Sequence, residues 1–100
     1  MTIRHVVMWK MNGADAAERT IQAAEVARLL NGLDGVVPQL RSIFAGANGV
    51  YPDANWDVTL VSEFDSVADL EAYQVHPAHE AAAEYIRSVA AGRAAVDIVL

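Results

Sequence analysis

Cysteine is absent from this sequence of 100 residues, and lysine occurs only once, at Lys10. Without cysteine, the chain can form no disulfide, thiolate metal site or cysteine nucleophile. The remaining basic residues are six arginines spread along a chain whose formal net charge is −6. No basic patch is therefore available for a nucleic-acid backbone, and no apolar run approaches the roughly 20 residues of a membrane-spanning helix. We expect neither nucleic acid nor a membrane as a partner.

A secretory signal is also missing, because Arg4, His5 and Lys10 interrupt what would be its apolar region. Together with the lack of cysteine, this predicts a cytoplasmic protein. The length predicts one domain spanning residues 1–100. Hydrophobic residues make up 54% of the chain, which is more than one small core can hide, and the excess favours an oligomer.

Alternating residue types and turn signals predict seven elements of secondary structure. The predicted strands cover residues 2–11, 40–47, 56–64 and 94–100. The predicted helices cover residues 14–31, residues 66–73 after a capping box at Ser66, and residues 77–92, with Pro77 in the first turn and Gly92 as the stop. The order β-α-β-β-α-α-β is that of the ferredoxin-like α+β unit, in which helices cover one face of a four-stranded antiparallel sheet.

The other face of the predicted sheet is left without helices. Alternation along the strands puts on this outer face a mostly apolar set: Val6, Met8, Thr59, Val61, Val96 and Ile98. A large apolar face is unfavourable in water, and two copies packed face to face would bury it inside a closed barrel. The pattern predicts a homodimer through the outer sheet face, that is, a dimeric α+β barrel.

Two of the three histidines, His76 and His79, flank the start of the last helix. The residue before a proline is kept out of helical geometry, so His76 is expected at the N-cap and His79 in the first turn. The positive end of the helix dipole disfavours the imidazolium form there. A neutral imidazole suits a general base, and a nearby acid would fix its tautomer. Asp97, an acid within the apolar last strand, is the candidate, on the sheet face that we assign to the helices.

Structural roles for the same residues stay open. His76 can serve only as a cap, His79 and Asp97 can pair for stability alone, and His5 and Tyr73 can be core residues. A metal site at His76 and His79 is disfavoured, because the proline between them spoils the geometry for two ligands on one helical face. We therefore predict no metal.

Several segments resemble the stress-responsive A/B barrel (Dabb) domain family. The opening His5-Val6-Val7-Met8-Trp9-Lys10 resembles the family's HVVxxK strand, and the segment from Trp56 to Ser66 resembles its third strand and the FxS after it. Residues 73–79, Tyr-Gln-Val-His-Pro-Ala-His, resemble its YxxHPxH signature, and Asp97 matches an acid of its last strand. The resemblance covers almost the whole chain and implies the same dimeric barrel.

The resemblance also implies site residues, because one branch of the family contains cofactor-free polyketide cyclases. It implies His79 as the base that removes a proton next to a carbonyl, and Tyr73 as the donor to the developing enolate. It adds His5 from the first strand and Asp97 as the acid that orients the catalytic histidine. A small ligand would contact pocket walls formed by Val7, Trp9, Leu60, Ala82 and Tyr85.

Three functions remain open on this basis. The first is a small homodimer that binds a small apolar or phenolic ligand or has a stress-associated structural role. The second is a cofactor-free enzyme of the polyketide cyclase kind, and the third, by analogy of fold only, is a cofactor-free monooxygenase. An open cavity reached by His5, Tyr73 and His79 would favour chemistry, whereas a cavity filled by Trp9, Trp56 or Tyr85 would favour the structural role.

Overall fold

The strands and helices occur in the predicted order in the computed structural model, which describes residues 1–100. The strands are β1 (Ile3–Met11), β2 (Ser42–Ala47), β3 (Val58–Phe64) and β4 (Ala90–Val99), and the helices are α1 (Ala16–Asn31), α2 (Val67–Gln74) and α3 (Pro77–Val89). The four strands pair antiparallel in the order β2-β3-β1-β4. The predicted ferredoxin-like α+β fold is therefore confirmed. None of the three helices is both long enough and apolar enough to cross a membrane.

Side chains cap all three helix N-termini. Asp15 accepts a hydrogen bond from the backbone N–H of Glu18 at α1, and Ser66 accepts one from Asp69 at α2. Each such bond satisfies a backbone donor that the helix itself leaves free. At the other end of α1, Gly32 caps the helix in a right-handed conformation, while Gly35 adopts a φ of 76°, which L-residues with a side chain rarely adopt.

The predicted strand starts differ from the structure by one residue at β1 and by two or more residues at the other three strands. The strands predicted from residues 40 and 56 begin at Ser42 and Val58, because turn bonds hold the preceding backbone, such as the one from Leu40 N–H to the Val37 carbonyl. β4 begins at Ala90 instead of residue 94, so Gly92 lies inside a strand and does not end the helix. β1 is long enough for Lys10 to pair with Gly92. The register between β1 and β4 then shifts between Lys10 and Met11.

The core lies between the sheet and the helices. On β1 the buried residues alternate as predicted, from Ile3 through His5 and Val7 to Trp9, and the face of β3 that carries Leu60 matches them. The helices cover β2, β3 and β1 but stop short of β4, because α3 packs against α1 rather than against that strand. Residues 93–99 of β4 are consequently exposed on both faces of the sheet. The face assigned to the helices therefore has no helix over it at Asp97.

The outer face of the sheet is open and largely apolar, as predicted. Val96 is 62% exposed and Ile98 41% exposed, and Met8 is exposed beside them. Phe44 of β2, which pairs with Val61 and is 65% exposed, extends the same face to the opposite sheet edge.

Candidate functional site

A pocket of about 290 Å³ opens between the helix-covered face of the sheet and α3. We call it the histidine pocket, because both His5 and His79 line it. The strands contribute His5, Val7, Trp9, Leu60 and Arg93, and the helices contribute Leu30, Gln74, His79, Ala83, Ile86 and Arg87. The pocket lies at the lower end of the size range of small-molecule sites. Trp9 forms part of its wall and does not fill it.

Three of the five predicted wall residues line this pocket and two do not. Val7, Trp9 and Leu60 are in the wall, whereas Ala82 is buried in the core and Tyr85 packs partly buried beside it. The wall on α3 is instead made by His79, Ala83, Ile86 and Arg87, spaced four, seven and eight residues from the histidine. Residues at this spacing share one helical face. The face of α3 that lines the pocket thus lies next to the face that packs in the core, offset around the helix axis by about one residue position.

His79 is held by one ring nitrogen and offers the other. Its Nδ1 lies 3.0 Å from the carbonyl oxygen of Gln74, and a carbonyl can only accept, so Nδ1 carries the proton and donates. Nε2 has no partner in the protein. Burial is the main cause of the lowered pKa of His79. The Gln74 bond opposes this effect, the charges of His5 and Arg87 lower the pKa further, and the charge of Glu80 raises it. The imidazole is therefore set up as a neutral group with an unshared electron pair on Nε2.

His76 performs the capping role that the sequence predicts. It is the N-cap of α3, with Pro77 at the first helical position, and its Nδ1 accepts a hydrogen bond of 3.1 Å from the backbone N–H of Ala78. This cap starts the helix that carries His79 into the wall of the pocket. His76 itself does not line the pocket.

Asp97 contacts His5 rather than His79. Its Oδ1 lies 2.5 Å from Nδ1 of His5, and the two residues pair directly across β1 and β4. The sequence predicts Asp97 beside His79, and the structure places it beside His5 instead. Residues directly opposite each other on paired strands lie on the same face of the sheet. His5 is only 4% exposed, and the bond to Asp97 fixes the orientation of its ring.

Tyr73 lies behind His79 and not in the wall of the pocket. Its ring centroid is 4.4 Å from that of His79 and 5.1 Å from that of Phe64. The side chain is fully buried, and its hydroxyl has no hydrogen-bond partner. Burial raises the pKa of Tyr73 to about 12, so the hydroxyl stays protonated at physiological pH. Its visible contribution is to pack against the imidazole and restrict its motion.

Replacing Tyr73 with phenylalanine should increase the free energy of unfolding by about 1 kcal/mol, because an unpaired buried hydroxyl is costly. Urea unfolding of the two proteins measures this difference. Tyr85→Phe is the matched control, since Tyr85 is only partly buried and its hydroxyl is not an unpaired buried group, so its midpoint should not change. A marked loss of stability in Tyr73→Phe would show that the hydroxyl has a partner after all.

Several wall residues carry a sequence signal that the prediction did not use. Ala83 and Arg87 follow from His79 by helical spacing once that residue is taken as the reference. Arg93 follows from strand alternation, because it lies on the same face of β4 as Asp97 and pairs with Trp9. Nowhere in the chain do three or more histidine, aspartate or glutamate side chains gather closely enough to hold a metal ion.

Solved structures with the same fold include dimers of unknown function. A dimeric ferredoxin-like protein from Thermobifida fusca is 31% identical, with a TM-score of 0.84 over 100% of this chain and 92% of that chain. A dimeric protein with a ferredoxin-like fold from Bacteroides fragilis is 27% identical, with a TM-score of 0.88 over 99% of this chain and 96% of that chain. The hydroxynitrile lyase from Passiflora edulis, at 14% identity, has a TM-score of 0.78 over 99% of this chain and 93% of its own, and shares the fold alone.

The family comparison covers nearly every residue described above. No curated protein matches the chain in sequence. The model of the stress-responsive A/B barrel domain, however, matches residues 3–100, from the first residue of β1 past the end of β4. The chain therefore belongs to the stress-responsive A/B barrel (Dabb) family.

Proposed function

We propose that this protein binds a small, largely apolar molecule in the histidine pocket. The observation that carries the proposal is the pocket itself, which is open, has six hydrophobic residues among the eleven that line it, and presents two imidazoles. Apolar walls supply most of the affinity for a small ligand, and a few polar groups fix its orientation. Nε2 of His79 has no other partner, and Asp97 occupies the Nδ1 side of His5.

Filling the pocket should weaken this binding. Ala83→Phe places a ring at the wall of the pocket beside His79, and we expect it to weaken the binding of the uncharged probe 1-phenylbutane-1,3-dione by roughly tenfold or more. Chemical-shift titration of the labelled protein measures the affinity. Ala81→Phe, on an exposed position of the same helix, is the control and should bind like the parent. If Ala83→Phe and the parent bind equally well, the histidine pocket is not the site.

A second candidate function, proton abstraction next to a carbonyl, is supported by the state of His79. A neutral imidazole with its Nδ1 proton donated to Gln74 has Nε2 free to act as a general base on a ligand in the pocket. Such a step needs no cofactor when the C–H bond is flanked by carbonyl groups. We assign the base role to His79 and the positioning of His5 to Asp97. His5 is then the second imidazole that can contact the polar end of the ligand.

The implied donor role of Tyr73 gains no support from its position. Its hydroxyl is buried, and the residue is not part of the pocket wall. We therefore propose Tyr73 as a positioning residue that packs against the His79 ring. This differs from the role that the family resemblance implies for it.

We also propose that two copies associate through the outer sheet face. The support is the exposed apolar set on that face, including Phe44, Val96 and Ile98. Apolar side chains on a continuous face of a folded domain mark an interaction surface. Two relatives of the same fold are dimeric. The histidine pocket lies on the opposite, helix-covered side of the sheet, so pairing through the outer face leaves it accessible.

A further inference from the structure

Two of the six arginines have no partner in the folded chain. The other four are engaged: Arg4 with Glu63, Arg28 with Glu25, Arg41 with Asp65, and Arg19 with the carbonyl oxygen of Gly13. Arg87 and Arg93 form no ion pair and no side-chain hydrogen bond, although acidic residues outnumber basic ones by 13 to 7. An unpaired guanidinium keeps all five of its donors free for a ligand.

Both free arginines line the histidine pocket. Arg87 comes from the last turn of α3, and Arg93 comes from β4, where it pairs with Trp9. None of the chain's acidic residues lines the pocket, and the carboxylate of Asp97 is occupied by His5. The lining of the pocket thus carries two arginines and no acidic residue, in a protein of net charge −6. Such a local excess of one sign attracts ligands of the opposite sign.

The arginines lie at the end of the histidine pocket that borders a second depression. This second depression, of about 280 Å³, follows the turn from α3 into β4 and shares with the pocket Trp9, Ile86, Arg87 and Arg93. His5 and His79 do not line this second depression. The two guanidinium groups therefore lie where the histidine pocket meets the second depression, and the two imidazoles lie away from that junction.

We propose that the ligand has an apolar body and a terminal carboxylate, with Arg87 and Arg93 binding the carboxylate at the mouth. This inference rests on the proposed function, because it places the apolar body in the histidine pocket over Val7 and Leu60. Guanidinium groups bind carboxylates through paired, charge-assisted hydrogen bonds. A small carboxylate also suits a pocket of about 290 Å³. The substrate class is thus a small organic acid, aromatic or aliphatic.

A bound carboxylate would also act on His79. Burial is the main cause of the lowered pKa of this residue, and the charge of Arg87 lowers it further. A carboxylate that neutralises Arg87 should raise the pKa of His79 toward its usual value. An uncharged ligand of the same shape should not. The pKa of His79, followed by NMR of the imidazole, therefore reports where the charge of the ligand lies.

The test compares three probes of one shape: 3-phenylpropanoate, the uncharged 3-phenylpropanamide, and 2-phenylethyl phosphate. We expect the carboxylate to bind more tightly than the amide. Arg87→Gln and Arg93→Gln should each weaken carboxylate binding by roughly tenfold and should weaken amide binding by a clearly smaller factor. The control is Arg41→Gln, which removes the same charge at the β2 end of the sheet, where Arg41 pairs with Asp65. It should leave the affinity for all three probes unchanged.

The outcomes separate this inference from the proposed function. If amide and carboxylate bind equally well and Ala83→Phe blocks both, the histidine pocket is the site and the carboxylate assignment is wrong. If the phosphate binds and the carboxylate does not, the arginines serve a phosphate ester, and the carboxylate assignment is wrong. If the arginine variants weaken carboxylate binding but Ala83→Phe does not, the acid binds outside the histidine pocket, and the proposed site is wrong.

Discussion

Replacing His79 with glutamine should slow deuterium exchange at C2 of 1-phenylbutane-1,3-dione by roughly 100-fold or more relative to the unmodified protein. Glutamine keeps polarity and comparable length but has no basic nitrogen. The C–H bond between the two carbonyl groups is acidic enough for an unassisted imidazole to attack. Proton NMR in deuterated water follows the loss of the C2 signal, after subtraction of the rate measured without protein.

The control for this variant lies in the same segment of the chain. His76→Asn replaces the other histidine of the sequence Tyr73–His79 with a residue that also caps helices well. His76 does not line the pocket, so this variant should keep the parent's rate. If His79→Gln keeps that rate as well, His79 is not the base, whereas equal losses in both variants would point to damage at the start of α3.

The rate of the same exchange should rise with pH. Burial and neighbouring positive charge lower the pKa of His79 from the ordinary value of 6.5. The active form of a base is the unprotonated one, so the rate should rise with pH through an apparent pKa below 6.5 and level off by about pH 7. An apparent pKa above 6.5 would mean that a different group controls the reaction.

Much of the fold could be predicted because each element depends on local rules. Two-residue alternation sorted β1 and β3 into buried and open faces, and Ser66 and His76 were recognisable as caps from their neighbours alone. The strand boundaries at residues 40, 56 and 94 were less accurate. Strand boundaries depend on which backbone groups pair with the neighbouring strand, as Lys10 of β1 pairs with Gly92 of β4.

The site could be predicted only in part, because it depends on distances between elements. Residue type and motif picked out His5, His79 and Asp97, but not that Asp97 would contact His5, which follows from the register of β4 against β1. The helical pattern of α3 identified its core side but not the neighbouring side that faces the pocket. Tyr73 matched the motif, yet only packing shows its hydroxyl enclosed without a partner.

The outer sheet face leads to the second large effect, on association. Val96→Asp should convert a dimer into a monomer at micromolar concentration, raising the dissociation constant by roughly a hundredfold or more. The side chain is 62% exposed in the single chain, so the substitution costs little within one copy. In a symmetric pair each copy buries its own aspartate at the interface, so the free-energy cost of removing a carboxylate from water arises twice.

Sedimentation velocity measures this change, with circular dichroism to verify that the variant remains folded. Val67→Asp is the matched control: it makes the same substitution at an exposed valine in the first turn of α2, where an acid is favourable and where the helices cover the sheet. It should remain dimeric. An unmodified protein that is already monomeric at micromolar concentration would contradict the interface, and so would a Val96→Asp variant that stays dimeric.

Because the histidine pocket opens on the opposite side of the sheet, a monomeric Val96→Asp protein should still bind the small probes. Loss of probe binding in that monomer would instead mean that the partner chain completes the pocket.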